Sequence, residues 1–168
     1  EGISYAKFLI RLMNRNYIEN VINMGDKMVM DLTDIGIEEG LKYEGIYTTM
    51  SKDGVKNAAP IGIVCKGRDK LGCRLFVGTQ TLKNIMETRR YVVNITFDPI
   101  NFVNSTIGNL NIEEFTDDDD IAILKNAEAY IICDVTDIRK MDPIKDHVTS
   151  NGEAYIISSD VVEIVKNN

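Results

Sequence analysis

The sequence contains one histidine, no tryptophan, three prolines and three cysteines. With His147 alone, in a polar stretch beside no candidate nucleophile, no Ser-His-Asp or Cys-His arrangement is expected. No apolar run approaches the roughly 20 residues that a membrane span needs, so we expect no contact with a membrane. The separated Cys65, Cys73 and Cys133 indicate buried free thiols in a reducing cytosol, and neither a disulfide framework nor a metal site is expected.

Positive charge is also scarce: the sequence has 19 Lys and Arg but 26 Asp and Glu, which gives a net charge of -7. Non-specific nucleic-acid binding needs phosphate neutralisation by Lys and Arg, so we expect no nucleic-acid partner. Lys7, Arg11 and Arg15 interrupt the first apolar stretch, which therefore lacks the layout of a signal peptide. These features predict a cytoplasmic protein.

The N-terminal region differs from the rest of the chain. Apolar residues from Ile3 to Leu12 recur at helical spacing and predict an amphipathic helix, which we expect to dock on the domain or on a partner subunit. Residues 23–42 are rich in Asp, Glu and Gly and are interpreted as a connector. We therefore assign residues 1–40 to a helical extension with its connector, and residues 41–168 to the main domain.

From residue 43 the apolar pattern takes a period of two, which is typical of β-strands. Strands are predicted over residues 43–50, 55–66, 73–79, 91–98, 127–138 and 153–165. A short helix is predicted over 81–90, with Thr81 as its N-cap. Six strands joined mostly by turns, without a βαβ rhythm, predict a mainly β protein, either a small barrel or a sandwich.

A second helix is predicted over residues 117–127. Thr116 is a suitable N-cap, and Asp117 to Asp120 would lie at the positive end of the helix dipole. A calcium site is the alternative for these four aspartates, although they lack the spacing and glycine of an EF-hand loop.

Residues 56–63, KNAAPIGI, lie in a predicted strand that has Pro60 in its middle and three small residues around it. Because proline cannot donate to a ladder, we expect Pro60 at a sheet edge or bulge, with neighbouring N–H and C=O groups pointing outward. Such groups are able to bind the edge of a planar heterocycle. The alternative is an edge strand that proline protects against aggregation.

Residues 78–84, GTQTLKN, place two threonines where a strand ends and a helix begins. Free N–H groups at a helix start favour an anion, and the hydroxyls of Thr79 and Thr81 add donors. Lys83 and Asn84 offer further contacts. The alternative is a plain helix cap, and the residues by themselves leave both interpretations open.

Two segments in this order, YTTMSKDGVKNAAPIGI (47–63) and FVGTQTLKNIMETRRYVVNITFD (76–98), resemble the FMN-binding split-barrel superfamily. Its members include flavin reductases and proteins similar to pyridoxamine-phosphate oxidase, and the resemblance over residues 41–165 is closest to an archaeal branch. It implies a six-stranded antiparallel split barrel with peripheral helices. It also implies a homodimer with FMN near the subunit interface.

The resemblance implies the following cofactor contacts. The flavin ring and ribityl chain would lie along the strand of Asn57, Ala58, Ala59, Pro60, Ile61 and Gly62. The phosphate would lie beside Thr79, Gln80, Thr81 and Asn84. Arg89 or Arg90 would either neutralise the phosphate or lie on the surface. Other branches bind a deazaflavin or haem.

An FMN-dependent oxidoreductase of the flavin-reductase-like type is the function that the resemblance implies, with NAD(P)H or another electron donor as a partner. The residues supply no nucleophile–base pair, so the cofactor must carry any chemistry and no catalytic side chain is assigned. A non-enzymatic flavin carrier is one alternative. Another is a dimeric interaction module whose N-terminal helix binds a partner.

Overall fold

The computed structural model describes residues 30–96, 104, 112–142 and 152–167. The predicted N-terminal helix, His147 and the end of the predicted strand 91–98 lie outside these residues. The elements described below belong to one compact unit, Asp31–Asn168, and the domain boundary at residue 40 stays a prediction. Within the described residues, no helix is long and apolar enough to cross a membrane.

Six antiparallel strands form a closed barrel in the order β1-β2-β3-β6-β5-β4. Their bounds are β1 (Lys42–Met50), β2 (Lys56–Gly67), β3 (Lys70–Phe76), β4 (Arg90–Ile95), β5 (Ala129–Lys140) and β6 (Ala154–Lys166). The described residues also contain the helix α1 (Gln80–Thr88) and two 3-10 helices, Leu32–Ile35 and Ile112–Glu114. The predicted mainly β fold, a six-stranded antiparallel barrel, is confirmed.

Alternate side chains of the strands fill the barrel, because successive residues of a strand point to opposite faces. The largest fully buried side chains include Tyr47, Tyr91, Ile63, Leu71, Ile131 and Ile157. The two tyrosine rings stack with centroids 5.0 Å apart. The hydroxyl of Tyr91 donates to Ser159 Oγ at 2.8 Å. Alternation therefore accounts for the barrel interior, whereas β1 also buries Ile46 on its other face, in a second cluster with Phe115 and Leu124.

The hydroxyl of Tyr47 is buried without a nitrogen or oxygen hydrogen-bond partner in the described part of the chain, and the Cys73 thiol, a weak partner, is the polar group beside it. An unsatisfied buried hydroxyl costs free energy, so we expect Tyr47→Phe to raise the free energy of unfolding by about 1 kcal/mol. Urea denaturation measures the change. Tyr91→Phe is the matched control, and it should lower stability because Tyr91 has a partner. Destabilisation of both variants would contradict the prediction.

Part of the stretch interpreted as a connector belongs to the core. Asp31 caps the 3-10 helix Leu32–Ile35 by accepting from Thr33 N at 2.8 Å. Leu32 and Ile37 are 0% and 3% exposed and pack among the barrel residues. The acidic and glycine-rich composition concealed these two apolar residues, because their spacing matches neither a long helix nor a strand.

The helix predicted over 117–127 is wrong. Phe115 and Leu124 instead form an antiparallel bridge, and Thr116 N donates to Ile123 O at 2.8 Å. The four consecutive residues Ile121–Leu124 are all buried. A helix would turn part of such a run toward solvent, whereas this irregular segment buries all of it, with Leu124 packing over Ile46 of β1.

Candidate functional site

One edge of β2 is open. Residues 56–64 of β2 pair with β1, but only Val64, Cys65 and Gly67 pair with β3. No described strand pairs with the other edge of residues 56–63. Pro60 therefore lies on an open strand edge, as predicted, and the gap between β2 and β3 splits one side of the barrel.

The backbone of this open edge points into the split. Pro60 faces Ile46 across the β1–β2 ladder, and the Ile46 carbonyl accepts from Asn94 Nδ2 in β4 at 2.9 Å. Pro60 and Ile46 therefore form a non-hydrogen-bonded pair. Because such pairs alternate along an antiparallel ladder, Ala58 and Gly62 also direct their N–H and C=O groups away from β1. The edge thus offers backbone donors and acceptors to a ligand.

A cavity of about 730 Å³ lies at this split. Its volume falls within the range of small-molecule and cofactor sites, roughly 300–1,000 Å³. The cavity is lined from β2 by Ala59, Pro60, Ile61, Gly62, Ile63 and Val64, and Thr79 and Thr81 line it at the start of α1. A Cβ atom at Gly62 would meet nothing closer than Tyr43 O at 3.9 Å, so this position leaves open space for a ligand.

The start of α1 differs from the prediction in one respect, because Thr79, not Thr81, is the N-cap. Thr79 Oγ1 accepts from Leu82 N at 3.3 Å and donates to Phe76 O at 2.9 Å. Thr81 Oγ1 accepts from Asn57 Nδ2 at 3.2 Å, which leaves its own O–H free to donate. Thr81 therefore supplies a hydroxyl donor at the positive end of α1.

Two other predicted site residues hold α1 in place. Asn84 is fully buried, and its Nδ2 donates to Thr49 Oγ1 in β1 at 3.0 Å. Asn84 Oδ1 accepts from Gln80 Nε2 at 2.8 Å. These bonds tie α1 to the barrel and thereby set the position of its first turn beside the cavity.

Six of the ten predicted residues thus line the cavity: Ala59, Pro60, Ile61, Gly62, Thr79 and Thr81. Asn57, Gln80 and Asn84 do not line it: Asn57 binds Thr81, and Gln80 binds Asn84. Ala58 packs against the cluster around Ile46 and Phe115. Neither Arg89 nor Arg90 lines the cavity, since Arg89 ends α1 and Arg90 Nε binds Asp134 Oδ1 at 3.1 Å. The roles of the ten residues toward a cofactor stay predictions.

The sequence analysis missed the residues that β1 and β3 contribute to the cavity. Lys42 and Glu44 come from β1, and Gly72 and Arg74 come from β3. Lys66, near the end of β2, lines the cavity with them. Alternation along the β2–β3 hairpin could have placed Lys66 and Arg74 on one face, but their closeness to Lys42 depends on the register with β1.

Cys73 is the cavity residue with nucleophilic chemistry, but its environment suppresses it. Burial raises the pKa of the Cys73 thiol to about 12, so the thiol is protonated at neutral pH. Burial likewise raises the pKa of the Cys133 thiol and of the Tyr47 hydroxyl inside the barrel. These groups do not act as thiolate or phenolate nucleophiles at neutral pH. Within the described residues, no group of three His, Cys, Asp or Glu is placed to hold a metal ion.

Comparison with known protein families identifies the domain. A family described as a protein of unknown function (DUF447), N-terminal domain, matches residues 43–166. This match spans most of the chain, and it covers all six strands. The chain belongs to the DUF447 family. Together with the solved structures described next, this match confirms the resemblance that the two sequence segments indicated.

Solved structures resemble this DUF447 domain either in both sequence and fold or in fold alone. An FMN-bound DUF447 protein from Methanosarcina mazei is 31% identical with a TM-score of 0.66, over 82% of this chain and 66% of its own. The styrene monooxygenase flavin reductase from Pseudomonas putida S12 is 13% identical with a TM-score of 0.54, over 73% of this chain and 80% of its own.

Nitrilotriacetate monooxygenase component B from Bacillus cereus is 17% identical to the DUF447 domain, with a TM-score of 0.55, over 72% of this chain and 67% of its own. At this identity, and at that of the styrene monooxygenase reductase, the likeness shows the fold alone. The chain spans slightly less than two thirds of the Methanosarcina protein, so the activity of the whole protein is a matter for proposal.

Proposed function

We propose that this domain binds FMN in the split between β2 and β3 and acts as an FMN-dependent oxidoreductase of the flavin-reductase-like type. The observation that carries the proposal is the open edge of β2 facing the cavity. The 31% identical DUF447 protein is FMN-bound, which supports FMN as the flavin. FMN would supply two-electron and one-electron redox chemistry in the site.

The residues of the split suit a flavin ring. Ala58, Pro60 and Gly62 direct backbone groups into the gap, and such groups are complementary to the polar edge of a planar heterocycle. Gly62 has no side chain, so it allows the ligand to approach the backbone closely. Apolar side chains of Ile61, Ile63 and Leu75 line the same cavity and exclude water from it.

The start of α1 suits the phosphate. Gln80 N and Thr81 N belong to the first turn of the helix, where backbone N–H groups lack intrahelical acceptors. The Thr81 hydroxyl is a third donor beside them, and it is held by a hydrogen bond from Asn57 of β2. Together they form a small anion site at the positive end of the helix dipole.

The proposed activity requires an electron donor, and we propose NAD(P)H for this role. We also propose that the protein is a cytoplasmic homodimer. The cavity opens on the outside of the barrel, where Val64 in its lining is 51% exposed. A second copy covering this side would shield the flavin from solvent. Analytical ultracentrifugation tests the dimer, and a monomer at micromolar concentration would contradict it.

An absorption spectrum of the purified protein tests flavin binding. We expect flavin bands either as purified or after incubation with FMN, and a protein without them would contradict the proposal. Anaerobic addition of NADH or NADPH then tests turnover, and we expect the flavin bands to bleach. Flavin bands that neither nucleotide bleaches would favour the alternative function, a flavin carrier. The lack of an activated nucleophile among the described cavity residues is compatible with both functions.

Thr81→Ala tests the phosphate site. Loss of its hydrogen bond to a charged group should weaken FMN binding by about 1–3 kcal/mol, whereas riboflavin affinity should barely change. Fluorescence titration with both ligands measures the difference. Thr79→Ala is the comparison for helix damage: it removes the helix cap, should lower stability by about 1 kcal/mol, and shows how much affinity a weakened helix start costs. Equal losses of FMN and riboflavin affinity in Thr81→Ala would point to a damaged helix instead.

A further inference from the structure

The cavity has a second polar end, which is cationic. Its charged lining residues are three cations, Lys42, Lys66 and Arg74, and one anion, Glu44. The chain as a whole carries a net charge of -7. An excess of positive charge at this place therefore opposes the overall charge of the protein, and it favours an anionic ligand.

The three cations lie on one outer face of the barrel. Lys42 pairs with Val64, Val64 pairs with Gly72, and Gly72 pairs with Ser158, which forms a row across four strands. Directly opposed residues of an antiparallel pair share a face, and Arg74 follows Gly72 on the same face two residues later. Strand spacing places Lys42 and Gly72 about 10 Å apart. We call Lys42, Lys66 and Arg74 the cation row.

Lys66 is held across this row. Its Nζ donates to Ser158 Oγ at 3.3 Å. A Cβ atom at Gly72 would lie 2.7 Å from Lys66 Cε, so the absence of a side chain at Gly72 lets Lys66 lie flat over β3. The guanidinium of Arg74 lies over the Phe76 ring, with 5.4 Å from Cζ to the ring centroid. Neighbouring groups therefore orient two of the three cations.

Two lysines elsewhere on the same sheet have carboxylate partners, whereas the cation row has none among the described residues. Lys70 Nζ binds Asp160 Oδ1 at 2.6 Å, and Lys140 Nζ binds Glu153 Oε1 at 3.2 Å. In the part of the chain that the structure describes, no carboxylate pairs with Lys42, Lys66 or Arg74. Their charge is available to a ligand.

Two members of the cation row, Lys42 and Lys66, are too far from the start of α1 to share one phosphate with it. Asn57 of β2 contacts Thr81, whereas Val64 of the same strand stands in the cation row. Extended strand between Asn57 and Val64 spans about 23 Å. FMN has a single phosphate, so a cofactor anchored at Thr81 leaves Lys42 and Lys66 for another anionic group. Arg74, whose guanidinium lies over Phe76, stands between the two ends of the cavity.

We propose that the cation row is a second anion subsite, which binds the phosphate or diphosphate of a co-substrate that reacts with the flavin. The proposal rests on the proposed function, because it places FMN phosphate at Thr81. Inorganic pyrophosphate is the probe for the shared chemistry. NADP⁺, which does not reduce the flavin, tests whether a nicotinamide dinucleotide is the source of that group.

The test is calorimetric titration of the FMN-loaded protein with pyrophosphate. Lys66→Ala and Arg74→Ala are each expected to weaken pyrophosphate binding about ten-fold, and Lys66→Arg should retain most of the affinity. Lys70→Ala is the matched control, since Lys70 lies on β3 outside the cavity lining and should leave the affinity unchanged. Competition by NADP⁺ against pyrophosphate would identify the dinucleotide as the ligand.

Three results would overturn the subsite. One is equal pyrophosphate affinity in the parent, Lys66→Ala and Arg74→Ala proteins. Another is an equal loss in Lys70→Ala. The third is a selective loss of FMN over riboflavin affinity in Lys66→Ala or Arg74→Ala, which would assign the cations to the phosphate of the flavin itself. Failure of the protein to bind any flavin would contradict the proposed function separately, and pyrophosphate titration of the flavin-free protein would still test the cation row.

Discussion

Gly62→Leu is expected to weaken flavin binding strongly while leaving the barrel folded. Gly62 lies on the open edge of β2 and lines the cavity, so a leucine side chain there would occupy the space proposed for the flavin ring. We expect the affinities for FMN and riboflavin to fall together by roughly 100-fold or more, about 2.7 kcal/mol. Fluorescence titration with both ligands measures the loss.

The fold should tolerate this change. A Cβ atom at Gly62 has its nearest neighbour at 3.9 Å, so the side chain enters open space and displaces no core residue. Urea denaturation of the ligand-free variant checks this point. Val55→Leu is the control, because Val55 is exposed just before β2 and lies outside the cavity lining. FMN affinity of Gly62→Leu close to that of the parent would rule out the open edge as the flavin site.

Asn94→Ala is expected to cause a large loss of stability. Asn94 is fully buried in β4, and its Nδ2 donates to Ile46 O and to Thr48 Oγ1, each at 2.9 Å. Its Oδ1 accepts from Leu124 N at 3.0 Å. Alanine would remove the partner of three buried polar groups, two in β1 and one in the segment around Leu124, so we expect the free energy of unfolding to fall by about 3 kcal/mol. Urea denaturation measures it.

Asn167→Ala is the matched control for Asn94. Asn167 is exposed, and its Nδ2 makes one hydrogen bond, to Ala127 O at 2.9 Å. The cost of removing it should be at most about 1 kcal/mol, because water can replace the lost partner. Similar losses in the two variants would show that Asn94 does not join β1, β4 and the segment around Leu124 as the geometry indicates.

Local patterns were sufficient for most of the barrel. Six strands were predicted from apolar alternation and turn residues, and all six are present, because a strand with one face in a core must alternate. Pro60 was correctly placed on an open edge, since proline excludes a ladder bond at its own position whatever the rest of the fold. The helix start near residue 80 was also recognised, although its N-cap is Thr79.

Local patterns failed where long-range contacts decide the conformation. Thr116 and the following aspartates have the composition of a helix start, yet Ile121–Leu124 are buried as an irregular segment whose Leu124 packs over Ile46. Burial of consecutive apolar residues against the barrel outweighs the intrinsic preference for a helix. For the same reason Leu32 and Ile37 joined the core from a stretch whose composition indicated only a connector.

By itself the sequence determined the class of fold, the family and the two motifs around Pro60 and Thr81, because each depends on residues that are close along the chain. Only the tertiary structure decided that β2 and β3 separate, and that Asn57 meets Thr81 across the split. It also decided that Lys42, Lys66 and Arg74 share one cavity. Strand register and barrel closure bring these residues together, and neither can be deduced from the spacing of residues within a single strand.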